Sequence, residues 1–241
     1  SLPAFLEYAC RQILHKGLRN GGKVSKKKGI LKKTVLGAGL LAAVCGGEIA
    51  YFYGRTMKRG RAKTERTIKM SGTDWNQYMP LMEERKAAML ARPHEDVWQT
   101  SFDDLKLHAT YFPAQAQQGK QKLVICFHGY TSQGMSDYIG LSDYYQKRGF
   151  AMLLPDARAH GESEGEYIGF GCLDRQDALG WIRWAVEKLG EETEILLHGT
   201  SMGAATLLML SGLKLPEQVK GIVSDCGFTS PKEVFTHVLH T

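Results

Sequence analysis

The stretch that most constrains this chain is Ile195-Leu196-Leu197-His198-Gly199-Thr200-Ser201-Met202-Gly203, followed at once by an Ala/Leu-rich helical pattern from Ala204. An apolar strand, a sharp turn and a helix are compressed into a few residues, with Ser201 at the apex. Glycine is required on both sides, because a side chain at 199 or 203 would strike the adjoining strand or helix. The strained turn lifts the Ser201 hydroxyl above the start of the helix. There the helix N-terminus and backbone N–H groups favour negative charge. This is the pattern of a nucleophile elbow, with Ser201 as candidate nucleophile and Gly199 and Gly203 as elbow glycines; the competing reading is a purely structural Gly/Ser turn.

The elements on either side place that turn in a sheet. Alternating runs at 97–102 and 105–112, joined at Asp103-Asp104, read as a hairpin. Residues 122–127 are a continuous apolar run, the pattern of a parallel strand buried on both faces. A helix over 134–147, a strand at 150–155, a helix over 174–189 and a strand at 194–198 follow. The elbow, a helix over 202–213, a strand at 219–224 and a last helix starting near Pro231 complete the series. Strand and helix alternate from residue 122 onward, which predicts an α/β fold: a mostly parallel, doubly wound sheet with an antiparallel N-terminal edge. Upstream, 75–92 reads as a lead-in helix opened at Pro80 and ended at Pro93.

Charge separates the N-terminal part from the rest. The net charge is +6, but basic residues crowd between Arg11 and Lys69 and flank the mostly apolar run 34–54. Twenty or so apolar residues is the length that spans a bilayer as a helix, so a single-pass membrane anchor is expected there, with the side of the catalytic domain left open by the basic residues on both flanks. Glu48 lies near one end of the run; a buried Ala/Gly helix is the alternative. A membrane surface explains the basic block better than nucleic acid does, and no nucleic-acid partner is expected. The expected organisation is a basic segment 1–33, in which 2–18 has an amphipathic pattern, then the anchor 34–54. A linker and lead-in helix follow at 55–94, and the α/β domain at 95–241. The chain opens on Ser1 and stops at Thr241 inside a helical pattern, as a piece of a longer protein would.

The five cysteines, Cys10, Cys45, Cys126, Cys172 and Cys226, show no C-x-x-C pair or regular spacing. Neither a disulfide framework nor a metal site is expected, and no cofactor. Cys126 and Cys226, in or beside apolar runs, read as small core residues.

Acyl transfer through serine needs a nucleophile, a base, an acid and oxyanion donors. The donors expected are the backbone N–H of Met202 and that of Tyr130, in His128-Gly129-Tyr130 at the end of an earlier strand; parallel strands deliver both loops to one crevice. Together, His128-Gly129-Tyr130, the loop Asp156-x-Arg158-x-His160-Gly161-x-Ser163, and Gly199-Thr200-Ser201-Met202-Gly203 resemble the α/β-hydrolase superfamily. The likeness is to bacterial esterases and serine-aminopeptidase-like hydrolases, over roughly residues 95–241. The resemblance implies hydrolysis of a carboxylic ester through an acyl-enzyme on Ser201, acting on a small-molecule, acyl or peptide substrate. A peptidase, an acyltransferase or thioesterase, and an inactive binding module are the alternatives.

His128, His160 and His198 read as structural rather than as the base. Ser201, Asp225 and His237 satisfy the family's order, but Asp225 and His237 are too close in sequence for the elements that normally intervene. The resemblance implies that the catalytic acid and base, and any lid, lie beyond Thr241. Tyr130, Phe170 and Tyr138 are candidates for an apolar acyl pocket, with core packing the equal alternative.

Overall fold

The computed structural model describes residues 24–59, 74–115 and 119–240, without the side chains at 24–34, 36, 38, 40, 41, 75, 235 and 237–240. The amphipathic pattern at 2–18 and most of the basic linker lie outside the described residues. The chain divides into two compact units, residues 1–54 and 55–241, each taken here by itself.

A single helix, α1 (Val24–Thr56), covers the apolar run of the first unit, extends through the basic flank before it and ends two residues past Gly54. Lysine is a good helix former, so the charged flank gives the helix no reason to stop. Among the described residues, however, no helix is long and apolar enough to cross a membrane. The spanning helix expected over 34–54 is therefore not supported. The run is diluted by Gly37, Gly39, Gly46, Gly47 and Glu48, and the side chains at 34, 36, 38, 40 and 41 are outside the described set.

After residues 55–59, the next described element of the second unit is a 3-10 turn, Trp75–Tyr78, capped by the Asp74 carboxylate, which accepts from Asn76 N–H at 3.0 Å. Helix α2 (Met79–Leu90) follows, with Pro80 in its first turn as the sequence predicts, and it ends two residues short of Arg92. Pro80 has no N–H to donate to the preceding turn, which suits it to a helix's first turn and not to its interior.

Six strands form one sheet: β1 (Glu95–Thr100), β2 (Lys106–Phe112), β3 (Lys122–Phe127), β4 (Phe150–Pro155), β5 (Glu194–Thr200) and β6 (Val219–Asp225), in the order β1-β2-β4-β3-β5-β6. β1 and β2 are antiparallel to their neighbours and the rest are parallel, as the sequence predicts. The β1–β2 strands end earlier than expected. Thr100 pairs with Lys106, and 101–105 form a loop in which Asp104 has φ 66°. Ser101 closes that loop: its N–H donates to Leu105 O at 2.8 Å and its hydroxyl accepts from Leu105 N–H at 2.9 Å, while the Asp103 carboxylate within it reaches Arg158.

The central strands show the two-residue period of a sheet covered on both faces. Leu123, Ile125 and Phe127 pack with Trp181 and Ile182 of α4 (Asp174–Leu189) and Leu207 of α5 (Met202–Leu210). Val124 and Cys126 face the other way, onto Tyr138 and Ile139 of α3 (Gly134–Lys147). Each such buried side chain contributes about 1.5–3 kcal/mol. Helix α5 stops at Leu210, short of 213, as Gly212 weakens it. Helix α6 (Pro231–His240) ends the described chain. Cys126 is core, but Cys226 is not: it is exposed, at φ 47°, in the turn just past β6.

β3 lies between β4 and β5. The chain leaves β3 to one side and later returns on the other, so the C-terminal ends of β3 and β5 open a crevice at the point where the strand order reverses. His128-Gly129-Tyr130 and Ser201 sit at those two ends.

Candidate active site

Ser201 has φ 53° and ψ −109°, a conformation costly for any residue with a Cβ, and connects β5 directly to α5. The two glycines are dictated by contact. A Cβ on Gly199 would collide with the backbone of Gly203, and one on Gly203 with the Phe127 carbonyl of the neighbouring strand. The Ser201 N–H donates to Asp225 O at 2.8 Å, tying the turn to β6. Ser201 is only partly buried, directly after the end of β5 where the crevice opens. Met202 is the first residue of α5, so its N–H has no acceptor within the helix.

The loop after β3 meets this turn. A Cβ built on Gly129 would lie 3.5 Å from Ser201 Cβ, ordinary van der Waals contact. The loop is held residue by residue. Gly129 N–H donates to Asp137 Oδ2 at 2.7 Å, and the Ser132 hydroxyl donates to Asp137 Oδ1 at 2.5 Å. Thr131, at φ 52°, donates its N–H to His160 Nε2 at 3.1 Å. Tyr130 thus stands between two residues whose amides are fixed by side chains from other segments.

Two histidines brace this loop, and the hydrogen bonds fix their tautomers. His128 Nε2 accepts from Ala157 N–H at 3.0 Å, so Nδ1 carries the proton and donates to Gly129 O at 2.8 Å. His160 Nε2 accepts from Thr131, so Nδ1–H donates to Arg158 O at 3.0 Å. The rings meet edge to face at 4.9 Å. Burial lowers the His128 pKa, and burial together with the nearby His128 brings that of His160 down to about 4. Both imidazoles are neutral struts. His198 is a third: its Nδ1 meets the Tyr145 hydroxyl at 2.7 Å, and burial lowers its pKa. Among the described residues these buried histidines are committed to other partners, and none is placed as a base for Ser201.

The Asp156–Ser163 loop is anchored more heavily than its sequence suggested. Arg158, 3% exposed, makes two forks: Nε and Nη2 donate to Asp177 at 2.7 and 2.8 Å, and Nη1 and Nη2 to Asp103 at 2.9 and 3.0 Å. Burial opposes its charge, but the two carboxylates outweigh that and hold it firmly protonated. His108 sits between Asp156 at 2.8 Å and Asp96 at 3.0 Å. Burial works against the imidazolium, yet the two carboxylates prevail and its pKa is raised. Asp174 caps Gly171 N–H at 2.8 Å through Oδ2, while Oδ1 has no hydrogen-bond partner among the described residues. Burial lifts its pKa to about 6. It lines, with His128 and Gly203, a cavity of about 20 Å³ behind the elbow, room for one water.

The structure thus places Gly199, Ser201, Met202 and Gly203 at the end of β5 and Tyr130 in the facing loop after β3. Asp225 lies at the exposed end of β6, and the His237 side chain is outside the described residues. Of the three aromatics considered for an acyl pocket, Tyr138 is excluded. It is fully buried beneath the elbow, where its hydroxyl reaches Phe127 O at 3.0 Å and His198 O at 2.9 Å, joining β3 to β5. Tyr130 and Phe170 do stack beside the site, at 5.3 Å and 27°. Sequence reasoning does not reach Asp137, Asp174 or His108: the two carboxylates, in the first turns of α3 and α4, read as complements to the helix dipoles, and His108 reads as one more residue of an alternating strand.

Residues 122–240 match the family model described as alpha/beta hydrolase fold. The chain is similar to the Pyrococcus furiosus esterase Pf2001, at 27% identity and TM-score 0.54 over 63% of this chain and 58% of that one. It is also similar to the uncharacterised proteins YqkD of Bacillus subtilis and YfhR of Escherichia coli. The first is 27% identical over 44% of this chain and 34% of that protein; the second is 25% identical over 56% and 48%. The chain therefore spans about a third to a half of the length of these curated relatives. The six-stranded mixed sheet with helices on both faces is the α/β-hydrolase fold.

Proposed function

We propose that this chain, with its α/β-hydrolase fold, is the nucleophile-bearing part of a serine hydrolase that cleaves carboxylic esters. The observation that carries the proposal is the strained Ser201, at φ 53°, wedged between two glycines that nothing larger can replace and packed against Gly129. Strain of about 1–3 kcal/mol persists only where the surrounding structure enforces it, and it clusters at functional sites. In the reading this supports, Ser201 Oγ attacks the ester carbonyl and gives up its proton to a base. The N–H groups of Tyr130 and Met202 receive the oxyanion, and water releases the acyl group. Losing one such donor costs about 3 kcal/mol of transition-state stabilisation. The base and acid belong, in this reading, to residues after Thr241. The similarity to an esterase favours an ester over a peptide or thioester.

The test is labelling of the full-length protein with a fluorophosphonate probe. Wild type should be modified at Ser201 and Ser201→Ala should not; a folded wild-type protein that stays unmodified refutes the proposal. Membrane attachment through residues 34–54 is a separate proposal, supported by the apolar run and its basic flanks. Release of the full-length protein from membranes by alkaline carbonate would refute it.

A further inference from the structure

Four consecutive residues that the sheet does not need, 56–59, lie against the loops beside the candidate site. Ile168 N–H donates to Met57 O and Arg59 N–H to Glu166 O, both at 2.7 Å, while Lys58 bridges Tyr167 in antiparallel fashion. The Arg59 guanidinium donates to Ser163 O and Gly161 O, both at 2.5 Å, fastening the strap to the loop that carries His160. The Tyr130 hydroxyl donates to Thr56 O at 3.0 Å. Met57 packs against the apolar cluster of Ile168, Phe170 and Met202.

That cluster is the apolar surface adjoining both expected oxyanion donors. Met202 follows Ser201 directly, and Phe170 stacks on Tyr130. An acyl chain extending from Ser201 gains most by burying itself against it, but the surface is already covered: Met202 is 1% exposed, Ile168 2% and Phe170 5%. Met57 is the part of that cover contributed by the strap.

We propose that residues 56–59 form the wall of the acyl site, that Met57 limits acyl length, and that the preferred substrates are esters of short-chain acids. The proposal rests on Ser201 being the nucleophile. A strap that merely braced the fold would affect stability and leave acyl preference alone, so preference is the readout.

The full-length protein is treated with ethyl- and octyl-substituted fluorophosphonates, and the rates of Ser201 modification are compared. In each case the Oγ–P bond forms, the P–F bond breaks, fluoride leaves and the Oγ proton passes to the enzyme's base. Wild type should favour the ethyl reagent. Met57→Ala should raise the octyl-to-ethyl rate ratio about tenfold, the discrimination that small changes in an apolar pocket produce. Arg59→Gln leaves the core intact and carries the test if Met57→Ala does not fold. Freeing the strap from Gly161 and Ser163 should speed amide exchange at Ile168 and raise the ratio. Faster exchange with an unchanged ratio overturns the wall. No modification by either reagent overturns the nucleophile reading and this proposal with it.

Discussion

Replacing Arg158 with methionine tests whether the loop beside the site is held by a buried charge or only by packing. The Arg158 and Asp177 side chains are 3% and 7% exposed, whereas Asp103 is 40% exposed. Removing one partner of a buried pair costs about 3–5 kcal/mol, because the other charge is left without compensation. The more exposed Asp103 pair adds at most about 1 kcal/mol. Methionine fills most of the vacated volume, so the loss expected for Arg158→Met is about 4 kcal/mol, nearly all of it at Asp177. With a urea m-value of about 2 kcal/mol/M, the unfolding midpoint should fall by about 2 M. Asp103→Asn should move it far less, and Arg158→Met combined with Asp177→Leu should recover most of the loss. The pH dependence adds a second check. Burial already raises the Asp177 pKa against the pull of Arg158. Without the arginine it rises further, so the folded variant holds a proton that the unfolded chain releases. The variant's stability is then greatest at acid pH and is lost as pH rises through the new value. The gap to wild type should therefore widen from acid to neutral pH. A shift for Arg158→Met no larger than that for Asp103→Asn, or a gap independent of pH, would refute the argument.

Further outcomes follow from the same contacts. Asp174→Asn keeps an acceptor for Gly171 N–H but removes a carboxyl raised from 3.8 to about 6, a linkage worth about 3 kcal/mol. Wild-type stability from that group is complete below 3.8 and lost as pH rises through about 6, so the variant should melt above wild type at neutral pH and lose the advantage in acid. His108 is raised above 6.5, so its contribution is complete below 6.5 and fades as pH climbs through the folded value. His108→Gln should flatten that part of the melting profile above pH 6.5, and an unaltered profile would rule the contribution out. Gly203→Ala should destabilise by about 1–3 kcal/mol or more through its clash with the Phe127 carbonyl; an unchanged melting temperature would contradict it. Ser201→Gly should stabilise by about 1 kcal/mol while abolishing probe labelling, because glycine tolerates φ 53°; a loss of stability would deny the strain.

Much of the sheet was legible because its signals are local. The buried run 122–127 and the elbow each announce themselves within a few residues, and helix–strand alternation supplies the layers. The hairpin boundary moved through hydrogen bonds that no pattern displays: Ser101 closes the 101–105 loop onto Leu105, and Asp103 within it reaches Arg158, distant in sequence. The roles of His128 and His160 as struts were foreseeable from their place beside glycines, but their acceptors were not. Tyr138 shows the limit most clearly: an aromatic on a helix face reads alike whether it lines a pocket or pins two strands. The cover from residues 56–59 left no trace in periodicity, being made of backbone bonds between segments far apart in the chain.

The two imidazoles behind the loop at Tyr130 have a consequence for where in pH the crevice keeps its shape. Each spends its one lone pair on a backbone N–H, His128 on Ala157 and His160 on Thr131. Adding a proton turns that acceptor into a second donor, and donor then faces donor. His160 is held near 4, against 6.5 for the unfolded chain, so this contribution is complete above 6.5 and is drained as pH falls toward about 4. Acidification therefore loosens the crevice from behind, at the two supports of the loop that carries Tyr130.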